Sequence, residues 1–326
     1  MSTSKKIYTN DHNISLLMAV FLADDHYDHV ADPTHISVTT LMKPLRQIIL
    51  NSRLKQGDNY QDVAGLLPSR MGTALHEGIE NSWVNNLPRA LGALGYPAKA
   101  AARILINPEG EIPAGAMPMW FELRTSKQVG KWSVSGCADV IMDGMVRDIK
   151  STKVWSYMSG ANDPKYILQL SLYRWLNPDK VTKDIGAIEY LFTDFNALEA
   201  TYKEGYPTHA VMAVELPLQS HAEMQRYTEN KLADIELHEK THEQDLPLCT
   251  PQDLWMGDSE WKYYSKPGAA RATKNFKGDM SGAFAHRTSK GTGEVREIKS
   301  KAKACNYCNA RTICSQYQTL VTEGLI

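Results

Sequence analysis

Across residues 132–152 apolar and polar positions alternate in two runs rich in β-branched residues, interrupted once by Asp143-Gly144. Alternation on both sides of an Asp-Gly pair predicts a β-hairpin with those two residues as its loop. Counting outward from the loop puts Asp139 directly opposite Asp148, with Cβ atoms roughly 4.5–5.5 Å apart. Lys150 shares the face of Asp148, whereas Arg147 and Ile149 point the other way.

Elsewhere the period lengthens. In residues 71–83 the apolar Leu75, Ile79 and Trp83 recur at helical spacing, which sets His76 beside that face. Residues 165–176 read as a helix carrying Gln169 and Tyr173, four apart and so on one side. Residues 220–242 read as a long polar helix. Residues 41–54 read as a helix entered through Ser37-Val-Thr-Thr40, with Pro44 in its first turn. The apolar run 14–23 is too short to span a bilayer and reads as a buried N-terminal helix. Segments 266–270 and 278–293 are rich in breakers and read as loops, with coil from the last cysteines to Ile326. The expected organisation is a helical region over 1–60, an α/β core over 61–216 and a helical, cysteine-bearing region over 217–326, with no internal repeat.

Two carboxylates face to face destabilise a sheet unless something compensates them. A divalent cation is one compensation, and the plainer one is a salt-bridged surface hairpin with Lys150 as its cation. His76 carries the same choice, between a hydrogen-bonded core histidine and a ligand. A neutral imidazole with two carboxylates suits Mg²⁺ or Mn²⁺.

Taken in order, Gly72-Thr-Ala-Leu-His76-Glu77-Gly-Ile-Glu80, Gly136-x-x-Asp139, Asp148-x-Lys150 and Gln169-Leu-Ser-Leu-Tyr173 resemble the motifs of RecB-type PD-(D/E)XK nucleases. The likeness extends more loosely through Ile188-Glu-Tyr-Leu-Phe192. It implies an α/β restriction-endonuclease-like core, a mixed central sheet flanked by helices, with helical N-terminal and cysteine-containing C-terminal extensions. It further implies a metal held by His76, Asp139, Asp148 and the Ile149 carbonyl, with Glu77 or Glu80 behind them. Lys150 would position or help deprotonate the attacking water, and Gln169 and Tyr173 would orient DNA or support the lysine.

At 326 residues, 43% hydrophobic and with a net charge of -1, the chain can bury a substantial core but has no global polyanion-binding signature. Basic charge is local. Residues 262–311 hold twelve Lys and Arg against Asp279, Glu294 and Glu297, a net of +9 that fits either phosphate contact or a solvated face.

Cys305-Asn-Tyr-Cys308-Asn-Ala-Arg-Thr-Ile-Cys314 brings three thiols into one short segment, a spacing that favours a metal over a disulfide in a cytoplasmic protein. In the iron–sulfur members of the resembled branch, which include AddB-like and CRISPR-associated nucleases, such a trio joins a distant cysteine around a 4Fe–4S cluster. The usual upstream cysteine has no counterpart in residues 41–48. Cys249, in Leu248-Cys-Thr-Pro-Gln-Asp-Leu-Trp255, resembles the cysteine that precedes the trio in phage-type relatives and becomes the fourth ligand. Cys137 would crowd the catalytic metal and is left out. The same four cysteines would also suit Zn²⁺, and the third alternative is unligated structural thiols.

The reading is a cytoplasmic, metal-dependent deoxyribonuclease, an exonuclease of phage or mobile-element recombination, replication or repair. It would act on single- or double-stranded DNA ends, alongside recombination or replication proteins and with no membrane association. Two rivals stand beside it: a non-catalytic DNA-binding subunit that keeps the fold, and a CRISPR-associated end-trimming nuclease.

Overall fold

The computed structural model describes residues 7–24, 30, 32–55 and 60–326. They form two compact units, one from residues 1–42 and 55–233, the other from 43–54 and 234–326. The second unit thus takes a short piece from early in the chain.

In chain order the structure begins with β1 (Ile7–Thr9), α1 (Leu16–Ala23), β2 (His35–Ser37), α2 (Val38–Leu41), α3 (Leu45–Ser52), β3 (Tyr60–Asp62), α4 (Leu67–Val84), α5 (Leu87–Ala93) and α6 (Ala98–Ala101). The core follows as β4 (Ile104–Ile106), β5 (Met117–Val129), β6 (Trp132–Met142), β7 (Met145–Thr152), α7 (Val154–Ser159), α8 (Asp163–Leu176), β8 (Ile185–Phe192), α9 (Glu199–Tyr202) and β9 (Val211–Pro217). It continues through α10 (His221–His238), β10 (Glu260–Tyr264), β11 (Lys274–Lys277), α11 (Met280–Lys290), β12 (Glu294–Ile298) and α12 (Ser315–Thr322).

The first unit is built on a mixed sheet of order β4-β5-β6-β7-β8-β9, with β2 added to β6. It is the mixed α/β arrangement expected of the core: a central sheet flanked by helices. β5, β6 and β7 run antiparallel in succession, β7 and β8 pair in parallel across α7 and α8, and β9 returns antiparallel. The β6–β7 loop is Asp143-Gly144 as expected, both residues left-handed at φ 52° and 68°, the type I′ signature. α8 lies along the sheet and buries Tyr166, Leu170, Leu172, Tyr173, Trp175 and Leu176. From α4, Ile79 and Trp83 pack on Met119, Phe121, Val140 and Ile149, with Trp83 and Phe121 centroids 6.1 Å apart.

In the second unit β10 is flanked by β11 and β12, all antiparallel, with α11 packed on that small sheet. Trp261, Tyr263 and Phe276 meet Phe284 and His286 of α11.

Several expected elements differ. The run 14–23 does form α1, yet of its helix residues only Leu22 is buried, and Leu16 and Leu17 are 80% and 81% exposed. Apolar composition alone did not reveal a burying face. The helix expected over 41–54 is broken: Met42 caps α2, and Pro44, extended at ψ 140°, precedes α3 instead of lying in its first turn. Segment 278–293 is mostly α11, whose Asp279 caps the Gly282 N–H at 2.7 Å and whose Gly291 ends it left-handed. The breakers there are caps. The expected terminal coil contains α12, whose Leu320 joins Leu325 beyond the helix in a cluster with Leu254 and Ala302.

Candidate active site and candidate metal centre

β6 has β5 along one edge for almost its whole length, but its other edge is divided. β7 pairs with it only at residues 140–142, and β2 only at 133–135. Between these stretches the edge is open, and Asp139 stands at the fork. β7 departs because it pairs in parallel with β8 from Arg147 onward. The β6–β7 ladder therefore ends one pair short of Asp139 and Asp148, so their expected direct opposition does not form. Asp139 Oδ2 instead accepts the Ile149 N–H at 2.8 Å, taking the role of a backbone carbonyl.

On the other side of β6, Asp139 falls opposite Glu122 by the register of β5, and the ladder skips that pair as well. Glu122 is left-handed at φ 46°, a strained state for a non-glycine residue. The interruption shifts the strand's alternation: a Cβ at Gly136 would point at α8, whereas Val140 packs with Ile79 and Trp83 of α4. Gly136 is required where it stands, because that Cβ would lie 2.9 Å from both Tyr173 and Leu176.

Helices complete the site. From α4, the His76 ring reaches Glu122 Oε1 at 3.3 Å, the Ile149 carbonyl at 3.2 Å and Asp139 Oδ2 at 3.7 Å. His76, Glu122 and Asp139 offer ligand atoms within 4.8 Å of one another. From α8, Gln169 Nε2 donates to Asp148 Oδ1 and to the Tyr173 hydroxyl, each at 3.0 Å. Lys150 Nζ lies 2.5 Å from Asp148 Oδ2, an ion pair with a carboxylate that is almost fully buried. A cleft of about 780 Å³ opens onto His76, Glu77, Glu80, Glu122, Ile149 and Lys150.

The electrostatics follow from burial. Asp148 is 1% exposed. Asp139 is pushed up to about 7, first by burial and then by the Asp148 charge. His76 rises to about 9, chiefly through its bond to Glu122, which overcomes the opposing effect of burial. Since both ring nitrogens face acceptors, the doubly protonated imidazolium satisfies them best. Burial by itself would lower Lys150, but Asp148 and Asp139 outweigh it and hold the ammonium above its usual range. Cys137 lines a smaller pocket with Asp139, donates towards Glu122 Oε2 at 3.5 Å, and is pushed up to about 12 by burial and then by Glu122.

The second unit gathers the other four cysteines. Cys249, Cys305, Cys308 and Cys314 all line one cavity of about 50 Å³, together with Arg46 and Leu50 of α3. Burial raises Cys249 to about 12 and also raises Cys305 and Cys308. The segments are tied without any sulfur chemistry: the Gln316 side chain bonds both the N–H and the C=O of Cys249, at 2.9 and 2.8 Å, and Ala304 N–H donates to the Leu254 carbonyl at 3.2 Å. Arg46, 2% exposed, donates from Nε to Cys314 Sγ at 3.4 Å, from Nη1 to the Leu246 carbonyl at 2.9 Å and from Nη2 to Ser315 Oγ at 3.0 Å, and pairs with Glu243.

All the residues expected at the nuclease site, His76, Asp139, Asp148, Ile149, Lys150, Gln169 and Tyr173, are thus brought together. Two participants carried no sequence signal. Glu122 looks like an outward position in an amphipathic strand, and only the distortion of β5 brings it in. Arg46 looks like a surface arginine in a short helix. No protein-family model matches this chain, and no curated protein matches it. Among solved structures it is similar to one described as the crystal structure of SSO0001, at 17% identity over 70% of this chain and 88% of that one, with a TM-score of 0.41.

Proposed function

We propose that the first unit is a metal-dependent DNA nuclease that hydrolyses phosphodiester bonds, acting as an exonuclease in recombination, replication or repair. The observation carrying this reading is the fork between β6 and β7. There a buried Asp148, Asp139, Glu122, His76 and the Ile149 carbonyl converge beside the Lys150 ammonium. The acceptor-rich donor set suits Mg²⁺ or Mn²⁺ held by His76, Asp139, Asp148 and Ile149, with Glu122 as a further carboxylate. A bound divalent cation would supply a lowered water pKa and neutralise charge on the scissile phosphate.

The chain's own groups do the rest. Lys150, kept protonated by Asp148, donates to the attacking water or to a phosphate oxygen, so positioning fits it better than the base role. Gln169 fixes the Asp148 carboxylate, and Tyr173 fixes Gln169, so the pair preorganises the lysine's partner. A surface salt-bridged hairpin would leave Asp148 exposed, and it is buried. Degradation of end-labelled single- and double-stranded DNA, with Mg²⁺ and Mn²⁺ compared, tests the reading. Activity like the parent's in Asp148→Ala would overturn it.

For the second unit we infer a 4Fe–4S centre held by Cys249, Cys305, Cys308 and Cys314. The four thiols share one cavity and are half-buried, and burial raises Cys249, Cys305 and Cys308, so these would give up their protons to a metal that stabilises the thiolate. The choice of iron over zinc rests on the resemblance of Cys249, Cys305, Cys308 and Cys314 to the iron–sulfur members of the branch, and the same four thiols suit Zn²⁺. Anaerobically purified protein with about four irons per chain and a broad visible band would support this. Colourless protein holding one zinc would overturn the iron and keep the ligands. Among the described residues no helix is long and apolar enough to cross a membrane, in keeping with a cytoplasmic enzyme.

A further inference from the structure

Trp255 and Tyr307, both in the second unit, take no part in the chemistry of either site. Residues 250–256 close as a helix C-terminus does: Trp255 N–H donates to the Gln252 carbonyl at 3.1 Å and Met256 N–H to the Pro251 carbonyl at 2.9 Å. These are the paired bonds of a Schellman ending, whose left-handed residue is ordinarily glycine. Here that residue is Trp255, at φ 53°, a conformation bulky L side chains avoid.

Burial does not repay that strain. Trp255 is 56% exposed, and Tyr307, between Cys305 and Cys308, is 76% exposed. Their ring centroids are 5.7 Å apart with planes at 40°. The Ala304-to-Leu254 backbone bond holds the two segments side by side. The Tyr307 segment is cationic: Lys303 precedes Ala304, Arg311 Nη1 donates to the Asn306 carbonyl beside Tyr307 at 2.9 Å, and residues 298–322 contain no Asp or Glu, while Asp253 of the Trp255 segment is bonded to Thr250.

We infer that Trp255 and Tyr307 form a stacking platform for the unpaired bases of single-stranded DNA, whose phosphates meet Lys303 and Arg311. Exposed aromatic rings offer every base a π-face, and flanking cations follow the backbone irrespective of sequence. Duplex DNA keeps its bases stacked within itself and gains only the cations. A strained tryptophan at a glycine position is accounted for by what its ring binds. The inference takes from the nuclease reading only the choice of DNA as the ligand.

The test is binding of the full-length protein to a short oligo-dT and to a duplex of equal length, without added divalent cation, followed by tryptophan fluorescence and by salt titration. Oligo-dT should quench the fluorescence and bind more tightly than the duplex. Trp255→Gly should bind oligo-dT roughly tenfold more weakly, with an unchanged salt slope and a melting temperature equal to or above the parent's, since glycine relieves the left-handed strain. Tyr307→Ala should weaken binding similarly and Tyr307→Phe should restore it. Parent-like affinity in Trp255→Gly and Tyr307→Ala, or a preference for the duplex, would overturn the platform. Failure of the nuclease reading is separable: oligo-dT binding as described with no cleavage by the parent would sink that reading alone, and cleavage with platform variants that bind normally would sink this one alone.

Discussion

The carboxylate cleft and the cysteine cavity each gather residues distant in sequence, but they hold them by opposite means. In the cleft, three acids, an imidazole and an ammonium crowd one fork in a sheet, and each is restrained by another charge: Lys150 by Asp148, His76 by Glu122 and Asp139. In the cavity the candidate ligand atoms are four thiols, of which burial raises Cys249, Cys305 and Cys308, and the segments are held by other groups, Gln316 and Arg46. The difference bears on robustness. A site held by its own charges loses geometry when a charge is removed, whereas one held from behind keeps its segments when a ligand is exchanged.

The largest effects should come from crossing the two regions. Lys150→Ala and Asp148→Asn should each lower DNA cleavage by a factor on the order of 10³, the scale of losing a preorganised charge in an active site, and leave iron content and colour unchanged. Cys305→Ser should abolish the visible band and leave the melting of the first unit in place. Iron assay, absorbance and cleavage on the same preparations decide this. Loss of colour in Lys150→Ala would mean that the regions are not independent.

Next is the group that distinguishes the cavity. Arg46→Ala removes the buried partner of Glu243 and strips donors from Leu246, Ser315 and Cys314. Breaking a buried pair costs about 3 kcal/mol, at the lower end of the usual range because Glu243 is partly exposed. Thermal or urea melting should register the loss in the second unit, whereas Arg89→Ala, in the exposed helix α5, should change little. Arg46→Lys should recover only part of it, because an ammonium cannot reproduce a fork that serves four partners.

The sequence revealed these regions unequally, for physical reasons. The hairpin was legible because Asp143-Gly144 admits few alternatives and alternation fixes which side chains share a face. The departure of β7 towards β8 was not, since which strand wins an edge is a long-range competition that no local pattern encodes. That competition turned a symmetric Asp139–Asp148 pair into a fork with an Ile149 N–H bond. Glu122 was hidden for the same reason. In the second unit the spacing of Cys305, Cys308 and Cys314 was plain, but Arg46 is 197 to 269 residues from the partners it ties. Gly278 and Gly291 read as breakers of structure when they are the boundaries of a helix.

Gly136 probes the cleft at a position with no charge at all. Gly136→Ala forces a methyl to within 2.9 Å of Tyr173 and Leu176, so it should destabilise the protein by about 1–3 kcal/mol. Cleavage should fall as well, as Tyr173 is moved away from Gln169. Gly92→Ala in α5, where an added Cβ meets nothing within 4 Å, should be neutral or stabilising by up to about 1 kcal/mol. Equal melting of the two variants would refute the close approach of α8.

A smaller effect distinguishes the charge-held site by pH. Because His76 is raised from 6.5 to about 9 in the folded, metal-free chain, its contribution is complete below pH 6.5 and is lost as the pH climbs through 9. Asp139, raised from 3.8 to about 7, also costs stability as pH increases, but in the lower window between those values. With partial solvent screening of the His76 side chain, its share is about 1–2 kcal/mol. His76→Gln should flatten the upper window alone and Asp139→Asn the lower, read by melting in metal-free buffer. A loss confined to neither window would mean that these partners do not control the site.

The smallest expected effect concerns the basic stretch of the second unit, where the structure divides the candidate phosphate contacts. Arg296 pairs with Glu294 and lies 4.2 Å over the Tyr264 ring, and Lys301 Nζ donates to the Ile326 carbonyl at 2.6 Å. Both are engaged within the protein, whereas Lys290 and Lys299 are exposed. Each phosphate contact to a single strand contributes about 0.7 to the salt slope of binding. Replacing Lys290, Arg296, Lys299 and Lys301 together by alanine should therefore lower the slope by about 1.4, the value for two contacts, and not by the 2.8 or so expected of four. The Lys290→Ala, Lys299→Ala double variant should give the same drop by itself. A slope lowered by the full amount would mean that DNA draws Arg296 and Lys301 away from their partners, and an unchanged slope would make the whole stretch a solvated face.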